Sequence, residues 1–99
     1  MTIKLMAIYA TPDDTAAFEQ HYETVHTPLV EKIPGLASLK ITRSRQRLMG
    51  DRDIYLVAEM AFRDQATFDR AMASDENNAA GRDLANFAKG KVTLLIAED

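Results

Sequence analysis

Thr2-Ile3-Lys4-Leu5-Met6-Ala7-Ile8-Tyr9-Ala10, followed by Thr11-Pro12-Asp13-Asp14, decides the fold. Successive strand residues point to opposite faces. Ile3, Leu5, Ala7 and Tyr9 therefore share one face, and Met6 and Ile8 share the other. A strand that is apolar on both sides is covered on both sides. The Thr-Pro-Asp-Asp segment then reads as a helix start. Thr11 is placed to cap, Pro12 suits the first helical position, and the two aspartates favour the positive N-terminal end.

Beyond it, Phe18, Tyr22, Val25 and Leu29 recur at i, i+4, i+7 and i+11, the stripe of an amphipathic helix. Pro28 lacks a backbone donor and predicts a kink or an end near Thr27. Pro34-Gly35 signals a turn. Residues 36–47 read as a second strand, 49–52 as a hairpin loop and 53–62 as a third strand carrying Ile54, Leu56, Ala58, Met60 and Phe62 on one side. Asp64 caps a short helix with Phe68, Ala71 and Met72 inward. Ser74-Asp75-Glu76 breaks and recaps it, and Ala80, Leu84 and Phe87 mark the next helical piece. Gly90 ends that helix, and residues 91–97 form the last strand.

The order is β-α-β-β-α-β. It predicts an α+β, ferredoxin-like domain over residues 1–99, a four-stranded antiparallel sheet with its helices on one face. The strands are nevertheless apolar on both faces, and no helix is left to cover the second. A second copy, sheet against sheet, is the economical solution, so a homodimer is expected.

Composition narrows the function classes. Apolar residues make up 46% of the 99 and charged residues 27%, ordinary for a globular domain. With no cysteine, the chain has no disulfide, thiolate metal site or cysteine nucleophile, and a cytoplasmic location is expected. The net charge of −3 without a basic block argues against nucleic acid. Arg43, Arg45 and Arg47 alternate at a strand end and read as a solvated edge. No apolar run approaches the ~20 residues of a membrane span, and the N-terminus lacks a signal-peptide layout. The Gly90-Lys91 pair stands in no glycine-rich loop, which excludes a P-loop.

Both histidines fall on the first helix. With Phe18 at zero and ~100° per residue, His26 lies near +80° and His21 near −60°. On this reckoning the imidazoles flank the stripe about 140° apart and cannot share a metal, so no metal site is expected. His26, beside Pro28 at the apolar border, is the candidate catalytic acid or base, since imidazole titrates near neutrality. The bland alternative is a half-buried histidine bonded to backbone freed by the proline. His21 reads as a surface residue. Tyr9 and Tyr22 are the candidate polar points of a pocket, because a buried phenol needs a partner. Phe18, Phe62 and Phe87 are core aromatics by default and candidates to line a substrate pocket. Glu59, mid-strand, reads as a salt-bridge or rim residue.

Phe18-Glu19-Gln20-His21-Tyr22, His26-Thr27-Pro28-Leu29 and Ile33-Pro34-Gly35-Leu36 resemble the EthD family in order and type. Ser74-Asp75-Glu76, Asp83, Phe87 and Val92 resemble its second half. The resemblance implies ferredoxin-like dimers forming an α+β barrel, with a pocket between helices and sheet. Relatives in that superfamily include cofactor-free monooxygenases, muconolactone isomerases and polyketide cyclases. His26 matches the motif histidine. The expected protein is a cofactor-independent homodimer that binds a small apolar metabolite and acts on it by proton transfer or cofactor-free oxidation. A non-catalytic ligand-carrier or stress-type dimer is the first alternative. A haem-handling protein with His26 as axial ligand is the second.

Overall fold

Strand β1 (Ile3–Tyr9) lies inside the sheet, antiparallel to both neighbours, and so has both edges hydrogen-bonded. The computed structural model describes residues 1–99. The sheet order is β2-β3-β1-β4, with β2 at Ser38–Arg43, β3 at Leu56–Phe62 and β4 at Val92–Glu98, every pair antiparallel. Helical segments α1 (Thr15–His21), a π-helical turn (Tyr22–His26) and α2 (Thr27–Glu31) connect β1 to β2. Helices α3 (Gln65–Met72) and α4 (Asp75–Phe87) connect β3 to β4. This is the predicted ferredoxin-like order. None of the helices is long and apolar enough to cross a membrane.

The core lies between sheet and helices. Register puts Ala7 beside Ala58 and Tyr9 beside Leu56, and these inward residues are buried. The opposite face carries Met6, Ile8, Val57 and Leu95, with a Lys4–Glu59 ion pair of 3.5 Å among them. No helix covers that face. Glu59 thus occupies the salt-bridge position expected of it.

Local chemistry moves several boundaries. Asp14, not Thr11, caps α1: its carboxylate accepts from the Ala17 N–H at 3.0 Å, and the helix begins at Thr15. Thr11 instead donates to Asp53 through its hydroxyl at 2.7 Å, tying the start of the helical connection to the loop before β3. Strands β2 and β3 are shorter than expected, because residues 45–54 leave the ladder as a long connection and Ile54 is 44% exposed there. Arg43 ends β2, so it does not form an alternating edge with Arg45 and Arg47. Its guanidinium grips Glu19 in two hydrogen bonds of 2.7 and 3.1 Å. The break at residue 74 falls where expected, with the Ser74 side chain accepting from the Asn77 N–H. Helix α4 ends at Phe87, and Gly90 follows at φ 75, a conformation that suits glycine.

Pro28 does not end the helix at Thr27. The Thr27 N–H bonds to the Tyr22 carbonyl, an i→i+5 step that widens the helix just before the proline ring and lets α2 run on to Glu31. The extra residue in that turn shifts the register of the buried stripe. Val25, expected inward, is 41% exposed, and His26 takes its place at 5%.

Candidate functional site

The π turn also corrects the placement of the histidines. In a regular helix, residues five apart diverge. In an i→i+5 turn they stack one above the other. His21 and His26 therefore converge, and both meet Asp83 of α4. The His21 Nε2–H donates to the Asp83 carboxylate at 2.9 and 3.1 Å, and the His26 Nδ1–H donates to Oδ2 at 3.0 Å. Asn86 Nδ2 donates to Oδ1 at 3.0 Å. His21 is thus partly buried against Asp83 rather than free at the surface. His26 is held by a carboxylate rather than by freed backbone. Phe87 packs against both imidazoles, with ring centroids 4.9 Å from His21 and 4.8 Å from His26.

Charge and tautomer follow from the surroundings. Burial raises the cost of ionising Asp83, yet three hydrogen bonds, from Asn86, His21 and His26, outweigh it and hold the carboxyl below the usual carboxylate range. An ionised carboxylate only accepts, so Nδ1 of His26 carries the proton and Nε2 keeps its lone pair. Burial also pushes the His26 pKa down, against the pull of Asp83, so the imidazole is neutral at pH 7. Burial holds the Tyr9 hydroxyl far above its ordinary range and pushes Tyr22 up to about 12, so both phenols stay protonated donors.

Of these groups, His26, Tyr9 and Tyr22 border a cavity of about 150 Å³ between the sheet and the helices. Thirteen of its seventeen lining residues are hydrophobic, so its polar groups are few: His26, Tyr9, Tyr22, Thr27 and Asn77. No buried side-chain nitrogen or oxygen lacks a partner, and His26 Nε2 and the Tyr9 and Tyr22 hydroxyls bond to no protein atom. Those three atoms therefore face open space, and the space their residues border is this cavity. It presents one acceptor and two donors on an apolar wall and no fixed positive charge. The nearby cation, Arg43, is committed to Glu19.

Of the residues singled out in the sequence, His26, Tyr9 and Tyr22 meet at the cavity. Phe18 and Phe62 are buried in the core, and Phe87 stands behind the imidazoles rather than on the cavity wall. Asp83 escaped notice as a working residue. Its signal was its place three residues after Ala80 and four before Phe87, an acid on the inward stripe of α4. No group of three or more His, Cys, Asp or Glu side chains is arranged to hold a metal ion.

A ferredoxin-like α+β domain with an apolar, histidine-bearing cavity under its helices defines the class. Within it, the model of the EthD domain matches residues 11–91, and the chain belongs to the EthD family. An uncharacterized 11.0 kDa protein from the thcB-thcC intergenic region of Rhodococcus erythropolis is 33% identical over 96 residues, covering 97% of this chain and 93% of that protein. A crystal structure of an EthD family protein from Bacillus halodurans is 42% identical with a TM-score of 0.93, covering 100% of this chain and 99% of that one. More distant structures share the fold. SnoaB, a cofactor-independent oxygenase from Streptomyces nogalater, has 17% identity and a TM-score of 0.70, with 99% and 92% of the two chains covered. A dimeric ferredoxin-like protein of unknown function from Thermobifida fusca has 14% identity and a TM-score of 0.71, with 100% and 92% covered.

Proposed function

We propose that this protein is a cytoplasmic homodimer that binds a small, uncharged, largely apolar metabolite and removes a proton from it, with His26 as the general base. The observation that carries this reading is the unpartnered Nε2 of a neutral His26 on an apolar cavity wall, its other nitrogen locked by Asp83. A base poised in this way needs no cofactor to accept a proton. The Nε2 lone pair takes the proton from a carbon next to a carbonyl, and the electron pair moves onto the carbonyl oxygen. Tyr9 and Tyr22 donate to that oxygen as it becomes an enolate. Asp83 stabilises the imidazolium so formed. The absence of a cation on the cavity wall selects against carboxylates and phosphates. SnoaB supports the same line at the level of fold, since it is an oxygenase without a cofactor.

The dimer rests on the uncovered sheet face, which carries the apolar Met6, Ile8, Val57 and Leu95 beside a Lys4–Glu59 ion pair. A second sheet would bury it. The Thermobifida fusca relative of the same fold is a dimer. Light scattering at micromolar concentration should give twice the 11.0 kDa chain mass. The cysteine-free composition suits a reducing compartment.

Deuterium exchange tests the chemistry. Incubated in D2O with uncharged cyclic ketones such as cyclopentanone and cyclohexanone, the wild type should accelerate exchange of the hydrogens beside the carbonyl, read by proton NMR, and His26→Ala should not. Exchange at the buffer rate with every ketone would remove the base assignment.

A further inference from the structure

Two of the seventeen cavity-lining residues are exposed, Gly81 on α4 and Leu94 on β4, so the cavity opens to solvent between them. Gly81 has no evident structural reason to be glycine. It lies in the middle of a thirteen-residue helix, where glycine is the poorest choice after proline. Its φ is not positive, so the backbone does not require it. A Cβ built there would meet no atom within 4 Å, so close packing does not require it either. What the missing side chain does leave is room at the mouth.

Outside the mouth the apolar wall continues. Leu94 is 50% exposed and Ile96, two residues on and on the same face of β4, is 65% exposed. Ile96 pairs in register with Leu5, itself a wall residue of the cavity. The helices do not cover this strip. An exposed apolar track that begins inside a ligand cavity calls for an apolar occupant. The cavity itself, at about 150 Å³, holds little more than one six-membered ring.

We infer that the ligand has two parts: a ring bearing a carbonyl or hydroxyl group, held inside by His26 and the tyrosines, and an apolar tail that leaves past Gly81 and lies along Leu94 and Ile96. Gly81 is then the residue that sets how large a substituent the ring carries at the mouth. This inference rests on the reading of the cavity as a metabolite site.

The probe is a series of 4-alkylphenols from methyl to hexyl, titrated calorimetrically into wild type, Gly81→Leu and Ile96→Asn. In wild type, each methylene laid on the strip should tighten binding about twofold to fourfold. Gly81→Leu should bind 4-methylphenol within about twofold of wild type and lose the gain with chain length, because the leucine fills the mouth. It should also melt no lower than wild type, since leucine favours helix over glycine. Ile96→Asn, an exposed change, should flatten the same profile without closing the mouth. An unchanged chain-length profile in both variants would overturn the inference while leaving the cavity reading intact. So would Ile96→Asn turning a dimer into a monomer with the profile unchanged, for the strip would then belong to the second copy. Binding of no phenol by wild type would overturn the cavity reading and this inference together.

Discussion

Glu19 and Asp83 are two carboxylates that each gather several partners onto the first helical connection, and they do different work. Glu19 lies near the surface with Arg43, which is half exposed, and also accepts from the Tyr55 hydroxyl. The Arg43 guanidinium bonded to it, with help from Tyr55, holds its carboxyl below the usual range. Asp83 is 5% exposed, and two of its three donors are imidazoles. An arginine remains charged at any working pH, so the Glu19 cluster has one state. An imidazole gains or loses a proton near neutrality, so the Asp83 cluster can change state. The fixed pair joins α1 to the end of β2. The adjustable group sits on a cavity.

Removing Asp83 should separate the two regions most sharply. Asp83→Ala leaves the buried His26 donor and the more exposed donors of His21 and Asn86 without an acceptor, at about 1–3 kcal/mol for each that water cannot reach. A total near 3 kcal/mol would lower the melting temperature by more than about 10 °C for a chain of this size. Calorimetry would show it, and a loss no greater than that of a Glu19 variant would erase the distinction.

His26→Ala comes next. Asp83 keeps two donors, so the expected cost is about 1–3 kcal/mol, smaller than for Asp83→Ala. Ketone exchange should vanish with it. Full exchange in this variant would move the chemistry elsewhere.

Acid tests the pair in a third way. The folded His26 pKa is depressed, so below about pH 6.5 the unfolded chain binds a proton that the native protein resists. Stability therefore falls as pH drops from about 6.5 toward the folded value. Asp83 and Glu19, with depressed carboxyl pKa values, contribute stability that is lost only at lower pH. Urea midpoints at pH 7 and pH 5 should differ less in His26→Ala than in wild type. Equal differences would mean that His26 is not the group that senses the upper range.

The smallest effect belongs to Glu19→Gln. An ion pair this exposed contributes less than about 1 kcal/mol and weakens with salt. A loss above about 2 kcal/mol would make the two carboxylates equals after all.

Much of the fold was legible because it rests on local rules. Alternation marked all four strands, and Asp64 and Ser74 announced α3 and α4 as side-chain caps. What escaped was set by contacts between distant residues. The residue count from His21 to His26 carries no sign of a π turn. That turn becomes worthwhile only when Asp83, 57 residues beyond His26, meets both imidazoles. The sequence overextends β2 and β3 because residues 45–54 contain apolar side chains, Ile54 among them, that pair with no neighbouring strand. Thr11 looked like a cap, yet the aspartates after it offered a stronger acceptor three residues later. At the site, His26 and the tyrosines were identifiable as types that suit a pocket. Their common carboxylate was not.

In genetic terms, the turn at Tyr22–His26 is an insertion, one codon more than a regular helix would use between Gln20 and Pro28. Its reversal is a single-codon deletion at Thr24. That deletion keeps both imidazoles, the carboxylate and the tyrosines in the chain and sets the histidines four residues apart, the spacing at which a regular helix also puts two side chains on one face. What the inserted residue decides is therefore the phase of the helix on either side of it, not whether the two imidazoles can meet.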